Sequence, residues 1–428
     1  FATLLSIIKN MKFLFYIRPK KITFVALHIL FMKHILSLMA ILSLSLLSAQ
    51  QKKQVRAATV GFLNVENLWD TIRSADYIDG TKDISNPAFH RSVPLDSIKY
   101  LEVTDKDYAG PWNNEALKGK KVVRIQGGSE EFTPKSGKNY TYKIYKQKLE
   151  NEAKVISEMG RSYTQTAPVV VGLIEVENRQ VMEDLVKEPA IAKYDYGVVH
   201  FNSYDYRGID VGFIYQKRRF TPSKSWKKEV KIFGDEGRRE YTRDIVVMTG
   251  FLDNEKVAFF LNHWPSRRGG EAASLPKRNA AAAILKQQMD SVQALDPSTK
   301  MFAMGDFNDD PISPSLKNYL KSAGKPKDLS GSTPYLNLMY PLYKKGVASL
   351  AYRDSPNLFD QIIVSANLHS ENKEVRKDYT VFKAEIFAPA YLVNKDGNYK
   401  GYPFRSWNGD QFTGGYSDHF PAFVILQK

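Results

Sequence analysis

Short apolar runs alternate with polar segments along the chain from residue 59 onward. Each run is only a few residues long and is rich in β-branched and aromatic side chains, a composition that predicts β-strands. The segments between them contain glycine, asparagine, aspartate and proline, which favour turns. The predicted strands are Thr59–Val65, Val169–Val176, Asp210–Tyr215, Ile245–Leu252, Val257–Leu261, Met301–Met304, Phe359–Val364 and Ala422–Leu426.

Two longer segments have the spacing of helices. Tyr145–Met159 repeats apolar residues at roughly helical intervals, and Pro276–Met289 is rich in alanine and starts with a proline, which suits a first helical turn. Strands outnumber helices, so the pattern predicts packed sheets with helices on their outer faces, an α/β or α+β layered architecture. The sequence contains no internal repeat.

The first fifty residues differ in composition from the rest. From Met32, the sequence MKHILSLMAILSLSLLSAQQKK has a basic start, an apolar stretch and a small-residue site, the layout of a signal peptide cleaved after Gln50. The apolar stretch is shorter than the about 20 residues that a membrane span needs, so cleavage is favoured over an uncleaved anchor. Residues 1–31 are interpreted as a mis-set upstream start. We therefore expect a secreted or periplasmic mature chain, residues 51–428, without a transmembrane segment.

The mature chain is expected to form one catalytic domain with two insertions. Residues 71–144 are polar and contain several turn-forming pairs, and residues 371–407 are rich in aromatic and charged residues without clear periodicity. Loops of such length are usually functional in a compact domain, although simple surface elaboration accounts for them equally well.

Charge and cysteine content narrow the available chemistry. The chain has a net charge of +15, and removal of the six Lys and Arg of residues 1–50 lowers it to +9. A basic surface favours polyanionic partners such as nucleic acid or an anionic membrane. The absence of cysteine excludes disulfides, a thiol nucleophile and thiolate metal sites. Carboxylate, amide and imidazole ligands remain, and these favour hard cations.

Chemically active side chains stand where predicted strands end or begin. Asp306 and Asn308 follow the run Met301–Met304, and residues two apart in an extended segment face the same way. Asp418 and His419 precede the last run, after two glycines that permit close approach of a ligand. Each of these motifs also has a structural interpretation, as an Asx turn or a surface Asp-His pair.

The segment LNHWPSRRGG adds an imidazole and two cations at another strand end. His263 is a candidate general acid, and Arg267 or Arg268 is a candidate ligand for a phosphate oxygen.

Three further strands carry an unexpected polar residue. Asn64, Glu175 and Asp360 each lie within or beside an apolar run, where a polar side chain without a partner is costly. Because six strands show the same feature, we expect them to converge on one site, in which a cation offsets the repulsion between the carboxylates.

The chain resembles the endonuclease/exonuclease/phosphatase superfamily, which includes DNase I, in the ordered segments FLNVENLWD, GLIEVEN, RGIDVGFIY, LNHWPSRR, MGDFNDDP, FDQIIVS and YSDHFP. GDFN and SDHFP are the most specific of these, and the resemblance spans residues 59–427. It implies a four-layer sandwich of two packed β-sheets flanked by helices, with the site in loops at one edge of the sheets.

The resemblance also implies a metal and a phosphate site. Asn64 and Glu175 would hold a divalent cation, with Asp418 assisting. Mg²⁺ is expected, with Mn²⁺ or Ca²⁺ as alternatives. Asp306 and Asn308 would bind the phosphate and position the attacking water.

Two histidines would move protons in this scheme. His419, oriented by Asp360, would be the general base or an electrostatic stabiliser, and His263 would protonate the leaving oxygen. Asp210 is a candidate to orient His263. A histidine at position 263 resembles the DNase I-like and sphingomyelinase-like members rather than the abasic-site repair branch.

Three hypotheses for the function follow. The leading one is a secreted nuclease, expected to be an endonuclease acting on DNA or RNA, with no stable protein partner. The second is a phosphatase or sphingomyelinase-like phosphodiesterase acting on lipid or sugar phosphates, and the third is a noncatalytic binding protein. The aromatic residues of the second insertion suit either base stacking or a membrane interface; they are Tyr391, Tyr399, Tyr402 and Trp407.

Overall fold

The computed structural model describes residues 55–71, 130–203, 205, 207–234, 239–369 and 377–428, with residues 32–34 and 37 and the backbone of three short strands between 77 and 124. The chain divides into two units, residues 1–55 and 56–428. The predicted signal peptide and upstream start lie almost entirely outside the described residues. In the part that is described, no helix is both long and apolar enough to cross a membrane.

All eight predicted strands are confirmed, most of them with slightly longer bounds. In chain order, the described strands are β1 (Ala57–Leu68), β2 (Tyr77–Asp79), β3 (Tyr100–Glu102), β4 (Lys121–Arg124), β5 (Val170–Val176), β6 (Tyr196–His200), β7 (Asp210–Gln216), β8 (Phe220–Lys228), β9 (Ile232–Phe233), β10 (Arg239–Glu240), β11 (Ile245–Leu252), β12 (Glu255–His263), β13 (Lys300–Asp306), β14 (Ser322–Ala323), β15 (Tyr335–Asn337), β16 (Leu350–Tyr352), β17 (Ser355–Asn357), β18 (Asp360–Ser365), β19 (Thr380–Ile386), β20 (Trp407–Asn408), β21 (Gln411–Phe412) and β22 (Ala422–Gln427).

Both predicted helices are also present. The described helices are α1 (Tyr142–Glu158), α2 (Arg161–Thr164), α3 (Arg179–Leu185), α4 (Pro189–Ala192), α5 (Glu271–Leu295) and α6 (Tyr340–Tyr343). Short 3-10 or π-helical turns occur at Glu130–Phe132, Ser315–Tyr319, Pro326–Asp328, Ala366–Leu368, Ala390–Leu392 and Gly397–Tyr399.

Two large mixed sheets form the centre of the fold. The first has six strands in the order β19-β22-β1-β5-β7-β6, and the second has seven in the order β14-β15-β18-β13-β12-β11-β8. Apolar side chains from both sheets make a shared core, in which Phe259 stacks on Phe302 with ring centroids 5.2 Å apart and also contacts Phe213 of the first sheet.

Helices cover the outer faces. Leu149 and Ile156 of α1 pack on the first sheet, and Leu285 and Met289 of α5 pack on the second. The four layers are therefore helix, sheet, sheet and helix, a mixed α/β sandwich as predicted.

Two details differ from expectation. Helix α5 begins at Glu271, so Pro276 is inside the helix rather than in its first turn. There, the Ser274 hydroxyl donates to the Gly270 carbonyl and the Arg278 guanidinium donates to the Glu271 carbonyl. The second predicted insertion contains β19, an edge strand of the first sheet that pairs with β22. Most of residues 71–144 lie outside the described residues, apart from residue 71, the small sheet β2-β4-β3 and residues 130–144.

Candidate active site

Strand register brings three of the predicted polar residues side by side. In the parallel pair β12–β13, His263 is the partner of Asp306, and in the antiparallel pair β13–β18, Asp306 is the partner of Asp360. The carboxyl ends of β12 and β13 and the start of β18 therefore meet at one edge of the second sheet.

Gly305 makes this close approach feasible. A Cβ atom at position 305 would lie 2.0 Å from the Asn262 carbonyl oxygen of the neighbouring strand. Any side chain there would push β12 and β13 apart, so the glycine before Asp306 has a steric role.

The turn after Asp306 has the Asx geometry that the sequence allowed. The Asn308 backbone N–H donates to Asp306 Oδ1 at 2.7 Å, and Asn308 has a positive φ of 49°. The Asn308 side-chain amide donates to the Trp264 carbonyl at 3.0 Å. The structural and functional interpretations of this motif are therefore compatible, because the turn also directs both residues to the cavity described below.

His419 is held by a buried carboxylate. Its Nδ1 lies 2.7 Å from Asp360 Oδ2, and Asp360 is fully buried. Burial lowers the pKa of His419, but the negative charge and hydrogen bond of Asp360, with the charges of Asp418 and Asp306, hold this pKa well above its usual value. His419 is thus an imidazolium at neutral pH.

His263 has the opposite electrostatic environment. Burial, followed by the positive charges of Arg243, Arg207 and His419, holds the pKa of His263 well below its usual value. Its Nδ1 is buried without a hydrogen-bond partner, and its Nε2 lies 3.8 Å from Asp306 Oδ2. The two imidazoles of this site are therefore tuned to different protonation states.

Asp306 is poised between its two forms. Burial is the main cause that raises its pKa to about 7, and repulsion from Asp360 and Glu175 adds to it, while His419 and the Asn308 N–H act in the other direction. A carboxyl group with such a pKa can accept or release a proton at neutral pH.

Three predicted metal ligands lie at or next to this cluster. Glu175 has a φ of +63°, with one oxygen 3.5 Å from Arg207 and the other 3.9 Å from His263. Asp418 is about two-fifths exposed and lies 3.7 Å from Arg405. Asn64 is buried on β1, beside β5, and accepts the Glu66 N–H. No three His, Asp or Glu side chains group as a metal site anywhere in the described ranges.

The donor types nevertheless fit a hard cation. Mg²⁺ is usually bound by one or two carboxylates together with substrate phosphate and water rather than by a full protein cage. Glu175 supplies a carboxylate and Asn64 an amide oxygen. A cation would also offset the repulsion from Asp360 and Glu175, which adds to the effect of burial in raising the pKa of Asp306.

The structure does not bring Arg267 or Arg268 into the cavity. The Arg267 guanidinium is buried, donates to the Asn308 carbonyl at 3.0 Å, and lies 3.3 Å from Asp309. It also stacks 4.5 Å from the Phe359 ring. Arg267 therefore supports the turn after Asp306 instead of facing a phosphate, and Arg268 is exposed outside the cavity.

Asp210 is also placed differently from expectation. Its Oδ1 accepts bonds from the Ser203 N–H and hydroxyl, and its Oδ2 lies 3.1 Å from His200 Nε2. The histidine beside Asp210 is thus His200. Strand β7 begins at Asp210 and pairs with β5 and β6, which directs this carboxylate to a buried polar cluster.

Sequence reasoning missed three cations of the cavity, Arg207, Arg353 and Arg405. Arg207 and Arg405 both line the cavity, next to Glu175 and Asp418 respectively. Arg207 stands directly before the apolar run of β7, and this position resembles that of the polar residues recognised at other strand ends. Arg405 lies in an irregular loop and gives no such signal.

One cavity of about 400 Å³ collects most of these side chains. We call its strand-end side the floor, formed by Glu175, His263, Asp306, Asn308, Asp418 and His419. The other side, called the outer wall, is formed by the hairpin 350–357 and the loop 393–413.

The predicted aromatic residues of the second insertion separate into two groups. Tyr399 and Tyr402 line the cavity. Tyr391 packs against Tyr416, and Trp407 is buried in a cluster with Phe132. Only the first two are placed to contact a substrate.

A search of the curated proteins found no match. Among solved structures, a family protein from Bacteroides thetaiotaomicron matches with 11% identity over 87% of this chain and 96% of that one, with a TM-score of 0.44. TDP2 of D. rerio, complexed with a single-strand DNA product, matches with 14% identity over 65% and 93%, TM-score 0.41. A mannosyl-6-phosphatase from Bacteroides thetaiotaomicron matches with 14% identity over 70% and 96%, TM-score 0.41.

The family assignment rests on a match to a family model. The model described as the endonuclease/exonuclease/phosphatase family matches residues 125–428, which include every floor residue and the whole outer wall. This chain therefore belongs to the endonuclease/exonuclease/phosphatase family of phosphoester hydrolases.

Proposed function

We propose that this protein is a divalent-metal-dependent phosphodiesterase that hydrolyses nucleic acid. The observation that carries the proposal is the pair of oppositely tuned imidazoles, His419 charged and His263 neutral, which face one cavity together with Asp306. Phosphodiester hydrolysis needs a proton acceptor for the attacking water and positive charge for the phosphate and the leaving oxygen.

Basic and aromatic lining favours a nucleic acid. Arg207 and Arg405 line the cavity and are suited to phosphate oxygens. Tyrosine rings in the same cavity are suited to stack on bases. The net charge of the chain favours a polyanionic substrate in the same way.

The histidines and Asp306 of the floor then have distinct roles. The His419 imidazolium, fixed by Asp360, stabilises the charge that develops on the phosphate and donates a proton to the leaving oxygen. His263 and Asp306, 3.8 Å apart, form the proton-accepting side that faces the attacking water. This assignment reverses the roles expected from the resemblance, because the low pKa of His263 favours its neutral form, which has a free nitrogen to accept a proton.

A bound cation would be held by Glu175 and Asn64, with Asp418 assisting. It would neutralise charge on the phosphate and polarise phosphorus. Arg207, next to Glu175, would contact the same phosphate.

The test is hydrolysis of supercoiled and linear DNA and of methyl p-nitrophenyl phosphate by the purified protein, with Mg²⁺, Mn²⁺ or EDTA. We expect metal-dependent turnover of DNA that His419→Gln and His263→Gln both lose. His369→Gln is the matched control, since His369 lies outside the cavity. Turnover of the small diester without any DNA cleavage would reject the nuclease proposal and point to lipid or sugar phosphates. No turnover of any phosphoester would reject the proposal that this protein is an enzyme.

A further inference from the structure

The outer wall carries several planar groups close to the floor. Tyr399 and Tyr402 have ring centroids 5.9 Å apart, and the Arg353 guanidinium lies 5.5 Å from the Tyr352 ring. Tyr399 is 57% exposed although it lines the cavity. Exposed tyrosine rings and guanidinium planes are the groups that bind the flat face of a nucleobase.

The two parts of the outer wall contact each other. The Tyr402 hydroxyl donates to Asp354 Oδ1 at 3.3 Å, and this bond joins the loop 393–413 to the tip of the hairpin 350–357. Both residues line the cavity. This bond joins the two parts of the outer wall at this point.

Buried charges hold the loop in place. The Glu66 carboxylate accepts from the Arg405 guanidinium at 2.9 Å and from the Ser406 N–H at 2.5 Å. Lys148, fully buried in α1, donates to the Ser406 hydroxyl at 2.8 Å. The Lys138 ammonium donates to the Gly409 carbonyl at 2.7 Å. Because these contacts fix the loop to β1 and α1, the wall is preformed, and a ligand need not order it.

We propose that the outer wall is a stacking subsite for the single terminal nucleoside of a nucleic-acid strand, so that the enzyme removes nucleotides from strand ends. The proposal rests on the proposed function and deepens it, and it replaces the expected endonuclease mode. The cavity volume of about 400 Å³ is of the size that binds small molecules, and a wall whose two parts are joined beside the floor favours a strand that begins or ends against it.

The reaction is an ordinary hydrolysis. One water adds to the phosphorus beside the terminal nucleoside, the P–O bond to the rest of the strand breaks, and the leaving oxygen takes a proton. The products are one mononucleotide and a strand shortened by one unit. No further reactant is required.

The first experiment compares two forms of one single-stranded DNA, circular and linear, with the full chain and Mg²⁺. We expect the linear form to be converted to mononucleotides and the circular form, which has no end, to stay intact. Cleavage of the circle at the rate of the linear strand would overturn the end-directed mode while leaving the proposed hydrolase function in place.

The second experiment tests the subsite itself with two esters of the same leaving group. Thymidine 5′-(p-nitrophenyl phosphate) carries a nucleoside, and methyl p-nitrophenyl phosphate does not. We expect Tyr399→Ala to raise KM for the thymidine ester about 5- to 100-fold, the loss of one base stack, with the methyl ester changed less than about twofold. Tyr399→Phe keeps the ring and should restore the wild-type KM.

Tyr319→Ala is the matched control, because Tyr319 is similarly exposed but lies outside the cavity. An equal effect of Tyr399→Ala on both esters, or none on the thymidine ester, would overturn the subsite. Absence of turnover with both esters and with DNA would instead reject the proposed function.

Discussion

The floor and the outer wall of the cavity are built in different ways. Floor residues stand at strand ends, and most of them are buried. Burial and neighbouring charges shift the pKa of three of them: that of His419 is raised, that of His263 is lowered, and that of Asp306 is raised to about 7. The outer wall is a hairpin and an irregular loop with exposed aromatic and basic side chains. A buried, electrostatically tuned floor serves any phosphoester, whereas the wall contacts what surrounds the phosphate. Substitutions in the two regions should therefore separate catalysis from substrate preference.

The largest effect is expected on the floor. His419→Gln removes the charged imidazole and should lower kcat about 10²- to 10⁴-fold, the usual contribution of a group that transfers a proton. The loss should be similar for DNA and for methyl p-nitrophenyl phosphate, because both meet the same floor. Steady-state kinetics of His419→Gln, with His369→Gln as the control, measure this loss of kcat. A loss confined to DNA would assign His419 to substrate binding.

The next effect concerns the connection between the two regions. Lys148 donates to the Val65 and Glu66 carbonyls of β1 and to Ser406 of the wall. Lys148 also lies 3.9 Å from Glu152, and both side chains are fully buried. Lys148→Met should reduce the free energy of unfolding by roughly 3 kcal/mol, the lower end for breaking a buried ion pair. The lower end applies because burial raises the pKa of Glu152 to about 8, so Glu152 can become neutral.

Urea denaturation of Lys148→Met and Lys154→Met makes this comparison. Lys154 is on the same helix but exposed, against the Tyr391 ring. Equal stability of the two variants would show that the buried ammonium does not hold the wall to the sheet.

A third effect is on the pH profile. The high pKa of His419 depends on Asp360, so kcat should stay high at neutral pH and fall as pH rises through that pKa, where the imidazolium loses its proton. Asp360→Asn removes the opposing charge and should move this alkaline limb about 1–3 pH units lower. A pH–rate series at saturating substrate measures the limb, and an unchanged limb would mean that His419 does not act in its charged form.

The smallest effect is expected on the outer wall. Arg353→Ala removes one cation above Tyr352 and should raise KM for the thymidine ester only about 2- to 5-fold, the size of an exposed cation–π contact. The kcat for the thymidine ester and the kinetics of the methyl ester should be unchanged. Arg268→Ala is the control, because this exposed arginine lies outside the cavity. If Arg268→Ala raised KM more than Arg353→Ala, the wall would not be the substrate-binding side.

The sequence predicted the strands of the two sheets well where both faces are buried. β5, β13 and β18 read as continuous apolar runs because every residue in them is buried. The edge strands β8 and β19 were missed, since their side chains are mostly exposed or half-buried and carry little apolar pattern. The hydrophobic pattern alone cannot identify an edge strand, which has a neighbouring strand on one side and solvent on the other.

The candidate site follows the same rule. Asp306 and Asp360 could be predicted because a polar residue at the end of a buried run is conspicuous. Arg267 was expected to reach a phosphate because it follows His263 closely, but sequence distance does not reveal that its guanidinium turns back to the Asn308 carbonyl. Arg405 could not be found, because its position depends on Glu66, more than three hundred residues earlier in the chain.

The direct pairing of Asp306 with Asp360 has a consequence for how this protein can change. Two carboxylates on neighbouring positions of antiparallel strands repel each other, and such pairs weaken a sheet. Replacing Asp306 with asparagine would therefore make the isolated protein more heat-resistant while impairing its chemistry. Selection for heat resistance alone would favour the loss of Asp306 first. If Asp306 is retained in an engineered lineage, that lineage is still under selection for substrate turnover.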